Sequence, residues 1–173
     1  MIERIELPEF PAGLASEAEA LRPELPSNIS PTLVSDAPDL NTQIGQMILA
    51  GFNGQQLTPA SPIIKDVKEA RIGSVALFGR NIASARQVSL LTSALQSIAE
   101  IPLIISVDQE GGQVRRLGSI FGLNTNYSAA QLGRLNDLGT THSFAEITAK
   151  TLKQVGINLN LAPVVDVLSL IHI

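Results

Sequence analysis

The segment Val107 to Arg116, VDQEGGQVRR, gathers a carboxylate at Asp108, paired glycines at Gly111 and Gly112, and a trailing guanidinium at Arg116. An ionised Asp only accepts hydrogen bonds, and its two oxygens can take them from neighbouring hydroxyls, which suits a sugar diol. The Gly pair lets the backbone turn sharply or a ligand approach closely. Arg116 can return its fork of donors to the same place. The same spacing also suits a purely structural pair, in which Asp108 caps a loop and Arg116 binds it. Asp166 lies near the end of a later apolar run, where holding loops is the better reading than direct catalysis. Arg80 and Asn81 close another run in FGRN. Asn81 reads as a turn or capping residue, and Arg80 as a rim charge or a supporting partner of the site.

Four short apolar runs carry these groups: Gln46–Phe52, Ser74–Phe78, Pro102–Val107 and Ile157–Val167. Short apolar runs bounded by turn residues predict strands buried on both faces. Alternation puts Ile104, Ser106 and Asp108 on one face of the third strand, with Leu103, Ile105 and Val107 toward a helix layer. On the fourth, Ile157, Leu159 and Leu161 read as an outward apolar face, and Asn158, Asn160 and Ala162 as an inward one. Three helical patterns separate the runs. One starts at Ser61-Pro62, carries Ile63, Ile64, Val67 and Ala70, and stops at Gly73. A second has a Ser84/Gln87 capping box followed by Val88, Leu91, Leu95 and Ile98. The third spans about Thr141 to Val155, lined by Phe144, Ile147, Thr151, Leu152 and Val155, with Gly156 as the stop. Strands alternating with amphipathic helices predict an α/β fold with a parallel sheet, and ligands in such folds meet the C-terminal ends of the strands.

Residues 1–40 read as a flexible Pro-rich extension, since six of the ten prolines precede Asn41; a short helix around Ala15 to Leu21 fits within it. The 173 residues suffice for one domain but fall short of the roughly 250 of a complete (β/α)8 barrel. A net charge of -4 gives no basic excess for phosphates, so nucleic acid is not expected as a partner. Without cysteine there is no disulfide or thiolate zinc site, and His142 and His172 are far apart in sequence, so no metal or other cofactor is expected. No apolar run is long enough to cross a membrane, and no signal peptide is visible after Met1, which points to the cytoplasm. Neither G-x-G-x-x-G nor a P-loop follows the first strand, so nucleotide binding has no anchor.

VDQEGG at Val107–Gly112, with Val114 and Arg116 behind it, resembles the signature of glycoside hydrolase family 3 β-N-acetylhexosaminidases, the NagZ-like group. IGQMILAGF (44–52), SVALFGRN (74–81) and INLNLAPVVDV (157–167) are similar to family blocks in the same order. Gln113 departs from the Arg that many members have there. The resemblance implies that residues 41–167 are the first half of a (β/α)8 TIM barrel, its first four strands, truncated. It implies an enzyme that removes terminal β-linked N-acetylglucosamine from glycans. Asp108 and Arg116 fall on the family's substrate-binding residues. The family's KHFPGHG-like block, its His-Asp acid/base pair and its nucleophilic Asp come later and are not in this chain, so the 173 residues are expected to be inactive. The alternatives are a fragment of another family 3 exo-glycosidase, such as a β-glucosidase, and a non-catalytic sugar-binding half-barrel.

Residues 168–173, LSLIHI, read as a non-native tail, because a transposon end used in sequencing libraries encodes that hexapeptide. A half-barrel of four strands would leave two edges and its inward residues uncovered, predicting aggregation or a molten state.

Overall fold

The computed structural model describes residues 38–118 and 127–165. The Pro-rich segment up to residue 37, the proposed helix at Ala15–Leu21, Asp166 and the tail 168–173 lie outside the described residues.

The chain forms an α/β fold on a parallel sheet. In order it runs α1 (Leu40–Gln46), β1 (Leu49–Gly51), α2 (Ile63–Lys68), β2 (Ser74–Leu77), α3 (Ala85–Ile98), β3 (Ile104–Val107), β4 (Gln109–Gly111), β5 (Val114–Arg115), α4 (Ala129–Leu135), α5 (Leu138–Gln154) and β6 (Leu159–Asn160). β1, β2, β3 and β6 make the four-stranded sheet, in that order and all parallel, while β4 and β5 form a separate antiparallel hairpin.

The register explains the core. Val75 pairs with Ile105 and Leu77 with Val107, so these four side chains share one face, and all are 0% exposed. Against them pack Ile63 and Val67 of α2, Val88, Leu91 and Leu95 of α3, and Leu152 and Val155 near the end of α5. The helices therefore cover one side of the sheet. On the other side Ile104, paired with Ser74, is 45% exposed, as that strand's alternation predicts.

Local chemistry sets the helix ends. Asp39 starts α1 by accepting from the backbone N–H groups of Asn41 (2.8 Å) and Thr42 (3.2 Å). Ser84 starts α3 by accepting from Gln87 N (3.1 Å). The other half of the expected capping box is diverted: Gln87 Oε1 accepts from Ala83 N (2.8 Å), and its Nε2 donates to the carbonyls of Gln55 (2.6 Å) and Asn81 (3.0 Å). Past the end of α5 the chain turns at Gly156, whose φ of +76 favours glycine and where a Cβ would come within 2.6 Å of Thr92 Oγ1. That hydroxyl donates to Val155 O (2.7 Å), stitching α3 to the end of α5.

Several sequence expectations shift. The first apolar run is not one strand: Gln46 ends α1, Met47 and Ile48 lie between α1 and β1 at 87 and 44% exposure, and Leu49 on the edge strand β1 is 46% exposed. α2 stops at Lys68, not at Gly73, and Ser61 spends its hydroxyl accepting from Thr58 N (2.9 Å) instead of capping the helix. α5 begins three residues before Thr141, because Asp137 caps it from Gly139 N (3.1 Å) and Thr140 N (3.2 Å). Its buried face holds Thr148 where Ile147 was expected; Ile147 is 44% exposed.

The faces of the fourth strand are reversed. Leu159 pairs with Ser106 and Asn160 with Val107, and neighbours in a parallel ladder point the same way. Leu159 thus lies on the side away from the helices and Asn160 on the helix side. The polar side chains are not offered to a central pocket, because their amides are consumed by backbone. Asn158 accepts from Ile105 N (2.7 Å) and donates to Leu103 O (3.0 Å).

Candidate functional site

The hairpin brings Asp108 and Arg116 together. Gly111 and Gly112 have φ of +83 and +58, the left-handed region in which glycine is unstrained. They reverse the chain so that Gln109 lies opposite Arg115, with a bulge before Gly111 meets Val114. One step further along the ladder sets Asp108 beside Arg116. The result is an Arg116 Nη2 to Asp108 Oδ2 separation of 3.7 Å, with the two side chains 33% and 30% exposed.

That separation is too long for a hydrogen bond and short enough for charge attraction. A half-exposed pair of this kind adds only about 0–1 kcal/mol to stability. Arg116 Nε is buried and has no hydrogen-bond partner among the described residues. Carboxylate and guanidinium thus face one another with unused acceptor and donor capacity, and a hydroxylated ring can take up both.

Gln109 and Asn160 pin the hairpin to the sheet, and the sequence reading assigned no role to Gln109. Gln109 is 5% exposed, and its Oε1 accepts from Leu117 N (2.9 Å). Asn160 Oδ1 accepts from Gln109 N (3.0 Å) and its Nδ2 donates to Gln109 O (3.1 Å). Both strands of the hairpin are therefore anchored, one through each end of this chain of amides. The available signal was a polar residue two positions past the largely buried strand β3.

Arg80 and Asn81 support the neighbouring strand ends. Asn81, 0% exposed, donates to the carbonyls of Phe52 (3.1 Å) and Gly54 (2.8 Å) and accepts from Phe78 N (2.9 Å). It ties the chain leaving β2 to the chain leaving β1. Arg80 Nε donates to the same Phe52 carbonyl (3.0 Å), and its guanidinium lies 4.5 Å over the Phe78 ring. Among the described residues Arg80 makes no ion pair with a carboxylate.

A hollow of about 230 Å³ lies elsewhere, on the helix side of the hairpin, among Leu132, Phe144, Thr148, Leu152 and Pro163. It is apolar, and neither Asp108 nor Arg116 lines it. A sugar needs several polar groups converging on it, so the Asp108–Arg116 mouth is the better candidate. Among the described residues no group of three or more His, Cys, Asp or Glu is placed to hold a metal ion, and no helix is long and apolar enough to cross a membrane.

With this geometry in view, the comparison with known proteins is decisive. The profile described as the glycosyl hydrolase family 3 N terminal domain matches residues 39–170. The chain belongs to glycoside hydrolase family 3. It is 31% identical over 125 residues to a β-hexosaminidase of Xanthomonas euvesicatoria, covering 69% of this chain and 36% of that protein. It is 39% identical over 104 residues to β-hexosaminidase A of Pseudoalteromonas piscicida, covering 56% of this chain and 17% of that protein. Among solved structures, a family 3 β-N-acetylglucosaminidase from a Paenibacillus species superposes with a TM-score of 0.66 at 35% identity, over 73% of this chain and 24% of that one. NagZ of Neisseria gonorrhoeae, solved with N-trifluoroacetyl-D-glucosamine, gives 0.56 at 26% identity, over 67% of this chain and 36% of that one. The chain spans about a third or less of these relatives.

Proposed function

We propose that this chain is the sugar-holding portion of a retaining β-N-acetylhexosaminidase that removes terminal β-linked N-acetylglucosamine from glycans. The observation that carries the proposal is the Asp108–Arg116 pair, 3.7 Å apart at the C-terminal end of β3 and open to solvent. In this reading Asp108 accepts hydrogen bonds from ring hydroxyls of the non-reducing-end sugar. Arg116 donates to the oxygen next to them. Arg80 and Asn81 keep the adjacent strand ends in place, and Asp166 is assigned a loop-holding role from the sequence alone. The four parallel strands are then the first half of a (β/α)8 barrel, whose sites lie at this face.

Binding alone does not hydrolyse a glycoside. Retention needs a nucleophilic carboxylate and a second group that first protonates the leaving oxygen and then activates water. By the family resemblance both come from sequence after residue 167, so the 173-residue chain grips the sugar and does not turn it over. The names of the relatives and the VDQEGG block favour the hexosaminidase over a β-glucosidase. Muropeptides and chitin-type oligosaccharides both present the required terminal residue.

The test is a titration of N-acetylglucosamine against the chain, followed by NMR, with glucose alongside. The expected result is weak saturable binding of N-acetylglucosamine, on the order of millimolar, that Asp108→Asn abolishes. Equal binding of glucose would move the assignment to another family 3 exo-glycosidase. Binding unaffected by Asp108→Asn would remove the proposed grip.

A further inference from the structure

Ligand sites are lined mostly by apolar and aromatic side chains, with a few polar groups that fix orientation. A pyranose ring matches that division. Its hydroxyls project around the rim, and its axial C–H bonds make an apolar face. Asp108 and Arg116 answer only the hydroxyls. The register names the side chain next to them. Leu77 pairs with Val107, so the residues one step on, Phe78 and Asp108, are neighbours on adjacent parallel strands. Leu77 and Val107 are 0% exposed and point to the helices. Side chains alternate along extended backbone, so Phe78 and Asp108 are both directed to the opposite side. Phe78 keeps that backbone, at φ -113 and ψ 172.

The Phe78 ring is held in place. The Arg80 guanidinium lies 4.5 Å over one face and is itself tied through Nε to Phe52 O (3.0 Å). One ring edge reaches over β1, where a Cβ on Gly51 would come within 3.0 Å of Phe78 Cε2 and 3.2 Å of Arg80 Nη2. Gly51 pairs with Ala76, which puts that missing Cβ on the same side of the sheet as Phe78. The Phe78 N–H donates to Asn81 Oδ1 (2.9 Å). Ring and backbone are thus both fixed, one strand away from the carboxylate.

We propose that Phe78 is a further substrate-binding residue: its ring is the apolar wall against which the C–H face of N-acetylglucosamine lies, while Asp108 and Arg116 take the hydroxyls. This rests on the sugar-holding reading above. The ring leans toward β1 and the carboxylate stands at the end of β3, so wall and acceptor flank one place instead of competing for it. Arg80 covers the ring face turned away from the sugar and supports the wall without touching the ligand. Gly51 leaves the room in which ring and guanidinium lie together.

The test uses the whole 173-residue chain and N-acetylglucosamine itself. With phenylalanine as the labelled residue type, intermolecular NOEs from ring protons to the axial C–H protons of the sugar are expected, and they should vanish in Phe78→Leu. The chain has no tryptophan, so Phe78→Trp introduces a lone indole at the wall. Its fluorescence is expected to change and to saturate over the same sugar concentrations as the NMR titration. Adding Asp108→Asn to that variant should abolish the change. Phe78→Ala is expected to weaken binding about tenfold, and Phe78→Tyr to stay near the parent. A ring that only packs the fold would lower the melting temperature of Phe78→Ala and give no NOE to the sugar, which would overturn the proposal. Binding that needs Asp108 while Phe78 gives neither NOE nor indole response would overturn it too, and leave the Asp108–Arg116 grip standing. A parent chain that binds no N-acetylglucosamine would remove the grip and this contact together.

Discussion

Asn158 and Asn160 make nearly identical bonds at two levels of the same strand, and this allows a paired test of how the site is positioned. Asn158 bridges the backbone of β3 at Leu103 and Ile105, at the base of the sheet. Asn160 bridges Gln109 N and O, at the root of the hairpin that carries Arg116. Each Asn→Ala change removes two hydrogen bonds to part-buried backbone. At about 0.5–1.5 kcal/mol per bond, each variant should lose about 1–3 kcal/mol of unfolding free energy. The two losses should agree to within about 1 kcal/mol, because bond number and burial are alike. Binding should separate them. Asn158→Ala leaves the hairpin anchored and should hold N-acetylglucosamine as well as the parent. Asn160→Ala frees the hairpin, so part of the binding energy goes into re-ordering it. A cost of up to about 1.4 kcal/mol corresponds to as much as a tenfold weaker Kd. Urea unfolding followed by circular dichroism, at one fixed chain concentration, measures the first quantity, and an NMR titration measures the second. If both variants weaken binding equally, or if Asn160→Ala leaves it unchanged, the amide anchoring of the hairpin does not position the site.

Three further outcomes follow from the same geometry. Arg80→Ala, removing an exposed guanidinium from the Phe78 ring and the Phe52 carbonyl, should cost about 0.5–1 kcal/mol in urea unfolding and leave N-acetylglucosamine binding within about twofold. Gly112→Ala places a Cβ at φ +58, within 2.7 Å of Ser128 Cβ, and should destabilise by more than about 1 kcal/mol and abolish binding, as read by thermal melting and titration. The third concerns acid. The Thr140 hydroxyl, with the N–H groups of Gly139 and Thr140, holds the Asp137 carboxyl below its ordinary value, so its capping of α5 contributes stability above the unfolded carboxylate range and loses it as pH falls through the folded value. Thermal melts of Asp137→Ala and the parent should therefore differ at neutral pH and converge as the pH is taken below about 4.

What could be read from the letters divides along burial. β2, β3 and α3 were legible because their apolar positions are enclosed, so period and environment agree: Val75, Leu77, Ile105 and Val107 are all 0% exposed. β1 and β6 were misread because an edge strand is not surrounded, and the apolar run at 46–52 continues from a helix into an edge. The hairpin escaped because strands of two and three residues are too short to show a period of two. Its Gly pair nevertheless marked the turn, and that was enough to bring Asp108 toward Arg116. Asn158 and Asn160 were placed on the wrong face because polar side chains were expected to line a mouth. Side-chain amides can satisfy strand backbone instead, and no single-residue property reports that.

The grip is assembled inside one hairpin, and this bears on how the segment can change over generations. Side-chain period along a strand is two, so adding or deleting one residue between Asp108 and Arg116 would slide the return strand and swing Arg116 to the opposite face. Exposed letters in this stretch, such as Gln113, are free to drift, but the Gly pair, Gln109 and the length are not. Homologous chains that keep a sugar here should therefore show substitutions and no gaps across these positions, while the loops joining the sheet to its helices accept insertions.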